Sequence, residues 1–222
     1  MIALSKSKII PAKLQNVAAP TQCDDIDRKI YGDHTVKERL WLDQHKKCAY
    51  CERRRDIGEG DVEHYRPKAT YYWLAYEWTN LLYSCKTCNV SYKRSYFPLI
   101  DESKRSIESK DCSNEEPALI NPYYENPADF LQFRNEYIVP KHCGGSQYIK
   151  AKETIFYLGL NSRNDLKEDR RRTWNDYRRL LRLYELAKNI GLEGEETDTI
   201  LVKLESMKSL ESEFSGMIIN QR

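Results

Sequence analysis

Cys48-Ala-Tyr-Cys51, Val62-Glu63-His64-Tyr65-Arg66-Pro67 and Cys85-Lys-Thr-Cys88-Asn89 belong to one stretch, residues 48 to 89, whose reading decides the fold of this 222-residue chain. Two Cys-x-x-Cys clips can deliver four thiolates to one tetrahedral zinc at about 2.3 Å, and a zinc with four protein ligands has no open position for chemistry. The metal expected at Cys48, Cys51, Cys85 and Cys88 is therefore a staple. Closing the clips holds the Glu63-His64 pair between them, close to the residues that follow Cys88. The gap between the clips is longer than in compact zinc ribbons, and a β-hairpin fills it. The alternative is two unrelated buried thiol pairs.

Composition sets the outer bounds. The chain is long enough for one large domain or two small ones. A net charge of +2 excludes a strongly basic coat protein for nucleic acid. Distribution says more than the sum. Lys167, Arg170, Arg171, Arg172, Arg178, Arg179 and Arg182 cluster, whereas residues 191–222 are net acidic. The basic stripe reads either as a phosphate-binding face or as a solvated helix face. Seven cysteines is an odd number, and four lie in clips. A reducing compartment with bound zinc accounts for them better than disulfides, leaving Cys23, Cys112 and Cys143 as ordinary thiols. No apolar run is long enough to cross a bilayer, and the first residues lack the apolar region of a secretory signal, so a cytoplasmic protein without membrane contact is expected.

Four segments follow along the chain. Residues 1–47 form an N-terminal segment, a candidate partner-docking arm ending in a helix through residues 37–44. Residues 48–100 form the motif-bearing module, closed by Pro98. Residues 101–150 form a loop-rich connection with short strands, polar from Asp101 to Glu116, with 141–146 expected to turn between strands. Residues 151–222 read as helical. Trp174, Tyr177, Leu181 and Tyr184 share one helix face, Gly191 supplies a stop, and a second helix is expected to carry Ile200, Leu204, Met207, Phe214 and Ile218.

The chemistry lies between the clips. Glu63 and Asn89 can each offer an oxygen to a hard divalent cation such as Mg²⁺ or Mn²⁺. On a strand His64 points to the opposite face from Glu63. One side chain can then hold the metal while its neighbour deprotonates water, and an imidazole suits a general base at neutral pH. Arg66 and Lys68 read either as phosphate contacts or as a solvated turn. Tyr71, Tyr72, Trp73, Tyr76 and Trp78 read as packing or as base-stacking rings.

These residues resemble the HNH endonucleases, whose ββα-metal motif folds two strands and a helix around one catalytic cation. The resemblance matches His64 to the general base, Asn80 to the central Asn that orients the loop carrying that base, Asn89 to the last member, and Glu63 to the other metal ligand. Lys93 falls where some members have a metal-binding His; a cationic Lys cannot ligate, so it is assigned to phosphate contact. The segment between base and central Asn departs from the family in lacking glycine and being crowded with aromatics. Glu63-His-Tyr-Arg-Pro-Lys68, Trp78-Thr-Asn-Leu-Leu and Lys93-Arg-Ser-Tyr-Phe-Pro-Leu99 are similar to one branch, the PtuB subunit family of Septu-type antiphage systems, also met with retrons. Together these pieces predict an α+β fold, with a zinc-stapled ββα module, N-terminal helices and a mostly helical C-terminal region. The resemblance implies an ABC-type ATPase partner of the PtuA kind, a DNA or RNA substrate such as transfer RNA, and, in the retron setting, a reverse transcriptase with its RNA–DNA hybrid. The competing function is a zinc-stapled nucleic-acid or protein-binding module that does not cut.

Overall fold

The structure is a computed structural model that describes residues 1–105, 107 and 110–221; Ser106, Glu108 and Ser109 of the 101–116 connection, and Arg222, lie outside the described residues. Two short helices precede the module, α1 (Arg28–Tyr31) and α2 (His34–Asp43). Each starts at an aspartate whose carboxylate accepts an orphan backbone N–H, Asp27 from Lys29 at 2.7 Å and Asp33 from Thr35 at 2.9 Å. The buried face of α2, Val36 and Leu40, packs on a small core with Tyr31, Val62, Trp78, Leu81 and Tyr83.

Strand β1 (Gly60–His64) pairs antiparallel with β2 (Leu81–Cys85), in a register that sets Glu63 opposite Leu82 and His64 opposite Leu81. The glycine-free connection turns through two 3₁₀ segments, Tyr72–Leu74 and Trp78–Asn80. Tyr71, Trp73, Tyr76 and Trp78 are buried there, so these rings are packing, and the aromatic crowding replaces glycine by filling the inside of the bend. A π-helical segment, Thr87–Lys93, follows β2 and completes the ββα arrangement.

Beyond the module lies a second hairpin, β3 (Leu131–Arg134) with β4 (Tyr137–Pro140), and then α3 (Gly145–Tyr157), α4 (Asn164–Asn189), α5 (Glu195–Lys208) and α6 (Ser215–Ile219). The architecture is α+β, with small antiparallel sheets and a mostly helical C-terminal region. Three local expectations are corrected. Residues 141–144 lead from β4 into α3 rather than between strands; the β3–β4 turn is at Asn135, where φ is 55°. Helix α3 begins at Gly145, ahead of Ala151. The second C-terminal helix is interrupted: α5 ends at Lys208, and Phe214, at φ 55°, opens α6. The break seats Phe214 in the core and lets the Gly216 amide donate to Glu52 at 3.2 Å beside the first clip, which a straight helix could not reach.

Gly191 does end α4, at φ 68°, with the Leu192 amide returning to the Ala187 carbonyl at 2.8 Å. The start of the N-terminal segment is built into the fold. Ile2 and Leu4 are buried, and the Lys6 ammonium donates to the Trp78 carbonyl and to that of Leu81 at 2.6 Å. No helix among the described residues is long and apolar enough to cross a membrane.

Candidate active site

The four clip sulfurs converge. All lie within 4.8 Å of one another, and Cys51 Sγ is 3.9 Å from Cys85 Sγ. Four sulfurs about 2.3 Å from a central zinc would be about 3.8 Å apart, so the donor set and its spacing fit zinc. Arg163, from the turn before α4, donates to Cys88 Sγ at 3.2 Å. Burial works against its charge, but the Cys88 and Cys51 thiolates outweigh burial and hold the guanidinium above its ordinary value. Arg163 thus offsets the negative charge of a thiolate quartet from across the fold. Sequence reading missed it, because 75 residues separate the two partners. Next to it Arg53 pairs with Asp165 at 2.5 Å and with Asp169, fastening α4 to the first clip.

On β1 the two adjacent side chains take opposite faces, as strand alternation requires. Glu63 is buried, and its Oε1 accepts from the Lys93 ammonium at 2.6 Å, with the Tyr50 hydroxyl at 3.5 Å. Burial raises its carboxyl above the ordinary range, and Lys93 opposes that shift. His64 Nε2 lies 3.0 Å from the Ala75 carbonyl, and its ring packs edge-on against Tyr31 at 4.6 Å. A carbonyl can only accept, so Nε2 carries the proton in this bond and Nδ1 is left with the lone pair. Burial lowers the His64 pKa to about 4, which keeps the ring neutral at pH 7.

Asn80 sits behind this pair and holds the loop. Its side-chain oxygen accepts from the Arg66 amide at 2.8 Å, and its amide nitrogen donates to the Arg66 and Leu74 carbonyls, both at 3.1 Å. The Tyr65 amide donates to the Asn80 carbonyl at 2.9 Å. One residue therefore ties the chain just after His64 to the loop that carries the carbonyl His64 binds.

Glu63, His64, Asn89 and Lys68 line a common cleft of ≈ 430 Å³, with Tyr31 and Arg94 on its walls. Two of the expected phosphate contacts are engaged inside the protein. Lys93 is fully buried, held by Glu63 and by the His64 carbonyl at 3.0 Å. Arg66 turns its guanidinium to Glu115 and over the rings of Phe97 and Tyr71, at 4.9 and 5.1 Å. Both cations neutralise buried carboxylates, where a lone charge would be costly. Lys68 remains at the cleft, joined by Arg94, which sequence reading had not singled out.

No family model matches the chain. Two curated relatives do, each called Septu protein PtuB. The one from Bacillus mycoides (strain KBAB4) is 32% identical over 204 residues, which is 86% of this chain and 65% of that protein. The one from Bacillus thuringiensis is 32% identical over 155 residues, 68% of this chain and 51% of that protein. The chain therefore spans between half and two thirds of the length of the relatives it matches. Over that shared portion, which takes in most of its own residues, this chain is PtuB-like, similar in sequence to both Septu proteins.

Proposed function

We infer that the chain is an HNH-type nuclease that hydrolyses phosphodiester bonds in nucleic acid, as the effector of an antiphage complex with an ABC-type ATPase of the PtuA kind. The observation that carries this reading is the state of His64. Its Nε2–H is committed to the Ala75 carbonyl, and its ring is neutral at physiological pH, so Nδ1 is a fixed proton acceptor at the cleft. Asn80 acts as a positioning residue, because its bonds to Arg66 and Leu74 set both the loop after His64 and the approach to Ala75. Glu63 and Asn89 would hold the catalytic Mg²⁺ or Mn²⁺, which when bound stabilises charge developing on the phosphate. Lys68 and Arg94 supply cationic contacts to the same phosphate. Lys93 orients Glu63 rather than touching substrate. The zinc at the four cysteines is structural and takes no part in the chemistry.

One observation favours a second reading. The Lys93 ammonium sits on Glu63 at 2.6 Å, where a cation would be bound, as expected of a stapled binding module that no longer cuts. Cleavage of plasmid DNA and of transfer RNA with Mg²⁺ or Mn²⁺, in the presence of the ATPase partner, separates the two. Activity in the parent that falls about 10²- to 10⁴-fold in His64→Ala supports the nuclease, that being the range for a lost general base. Equal cutting by both proteins overturns the role given to His64, and no cutting by either supports the binding module.

A further inference from the structure

Beside the His64 cleft lies a larger groove of ≈ 1100 Å³, between the segment following the second clip and the β4–α3 unit. Ile138 and Ile155 contribute to its floor, and Tyr96, Phe156 and Tyr157 to its rim. The Tyr96 and Tyr157 rings lie 5.0 Å apart at 36°, and Phe156 meets Tyr157 edge-on at 5.2 Å. Phe156 is 72% exposed and Tyr96 49%, although both are large and apolar-faced. Rings gathered around a concave, mostly apolar surface suit ligand binding.

Arg94 lines both the groove and the cleft, and its backbone is strained. With φ 51° and ψ −124°, and with the Tyr96 amide donating to the Lys93 carbonyl at 2.9 Å, it fills the first central position of a type II′ turn, which normally takes glycine. The Arg94 guanidinium has no hydrogen-bond or ion-pair partner among the described residues. A strained arginine with an uncommitted charge at the junction of two concave surfaces points to an anionic ligand passing between them. Positive charge gathers at the cleft end: Arg28, Lys37 and Lys68 ring the cleft, where Glu63 is held by Lys93 and Asp61 lies 3.9 Å from Lys37, while in the groove Lys152 sits beside Glu153.

We propose that the groove takes the unpaired bases of a single-stranded stretch of nucleic acid, whose backbone passes Arg94 to reach His64. The proposal rests on the nuclease reading and adds the substrate class. Exposed rings stack on bases whose faces are open, whereas a duplex hides those faces within its own stack.

The test is fluorescence anisotropy on the full chain with its zinc, without added Mg²⁺ or Mn²⁺, using labelled oligothymidylate, oligouridylate and a blunt duplex of matched length. Single strands should bind tighter than duplex, and Phe156→Ala and Tyr96→Ala should each weaken them at least about fivefold, with little change for duplex. Arg94→Gly, which suits the turn and so preserves the fold, should weaken single-strand binding too. Duplex binding as tight as single strands, or full single-strand affinity in the Phe156→Ala/Tyr96→Ala double variant, would overturn the proposal. So would ring-dependent self-association in sedimentation without any effect on oligonucleotide affinity. Ring-dependent binding by a parent that cuts nothing would support the groove and count against the nuclease alone.

Discussion

In the cleft around His64 the functional groups are fixed by bonds to the protein itself: Nε2 to Ala75, Asn80 to Arg66 and Leu74, and Glu63 to Lys93. In the adjoining groove the large groups are fixed by packing on one side only, and present open rings and an unpaired guanidinium to solvent. The first arrangement preorganises a few atoms, as proton transfer needs. The second supplies area without directional bonds, as tolerant binding to a flexible chain needs. The two meet at Arg94, where backbone strain sits in the wall shared by both.

The largest expected effect tests what underlies the cleft. Structural zinc contributes on the order of 10 kcal/mol in small modules, comparable to the whole stability of a domain. Cys85→Ser should lose the bound zinc, measured by plasma mass spectrometry, and fail to give a cooperative melt. Full metal content with an unchanged melting curve would rule out the four-thiolate site. Because Arg163 joins Cys88 to the turn that carries Asn161 and Ser162 of the groove, the groove should be lost together with the cleft.

A smaller effect isolates the cleft. The folded-state pKa of His64 is lowered to about 4 from an ordinary 6.5, so on acidification the unfolded chain takes up the proton first. The stability tied to neutral His64 is complete above pH 6.5 and drains away as pH falls towards 4. Between pH 6.5 and 5 the parent should lose about 1.5 kcal/mol more than His64→Gln in urea unfolding, since the slope climbs towards about 1.4 kcal/mol per unit below the unfolded pKa. Zinc release by acid is common to both proteins and cancels. Parallel stability curves would mean that the imidazole is solvated rather than held.

The smallest effect addresses the shared wall. Arg94→Gly relieves a positive φ and should raise stability by about 1 kcal/mol, or about 3 °C in Tm, after the entropy cost of glycine. A gain in Tm accompanied by weaker oligonucleotide binding is the signature of strain retained for function. A loss of stability would show that the arginine is structural, and would dissolve the contrast between cleft and groove at the point where they meet.

How much was legible follows from how contacts are encoded. Cys48, Cys51, Cys85 and Cys88 could be grouped because metal ligands recur at short spacings, and the opposite faces of Glu63 and His64 follow from strand alternation alone. The interruption at Phe214 was not legible, since the apolar stripe continues through it and only the seat beside the first clip requires the break. Lys93 and Arg66 read as free cations because their buried carboxylate partners, Glu63 and Glu115, lie 30 and 49 residues away in sequence.

Readable from the residues were the four thiolate donors of a candidate zinc site, the strand alternation that separates Glu63 from His64, and the glycine stop of α4. These depend on residue chemistry and on backbone periodicity over a few residues. Tertiary structure alone decided which cations are buried in ion pairs, that Arg163 serves the thiolates, and that rings from the second clip's sequel and from α3 share one groove with Arg94. Those outcomes depend on which distant surfaces must neutralise or cover one another when the chain packs, and no local pattern carries that information.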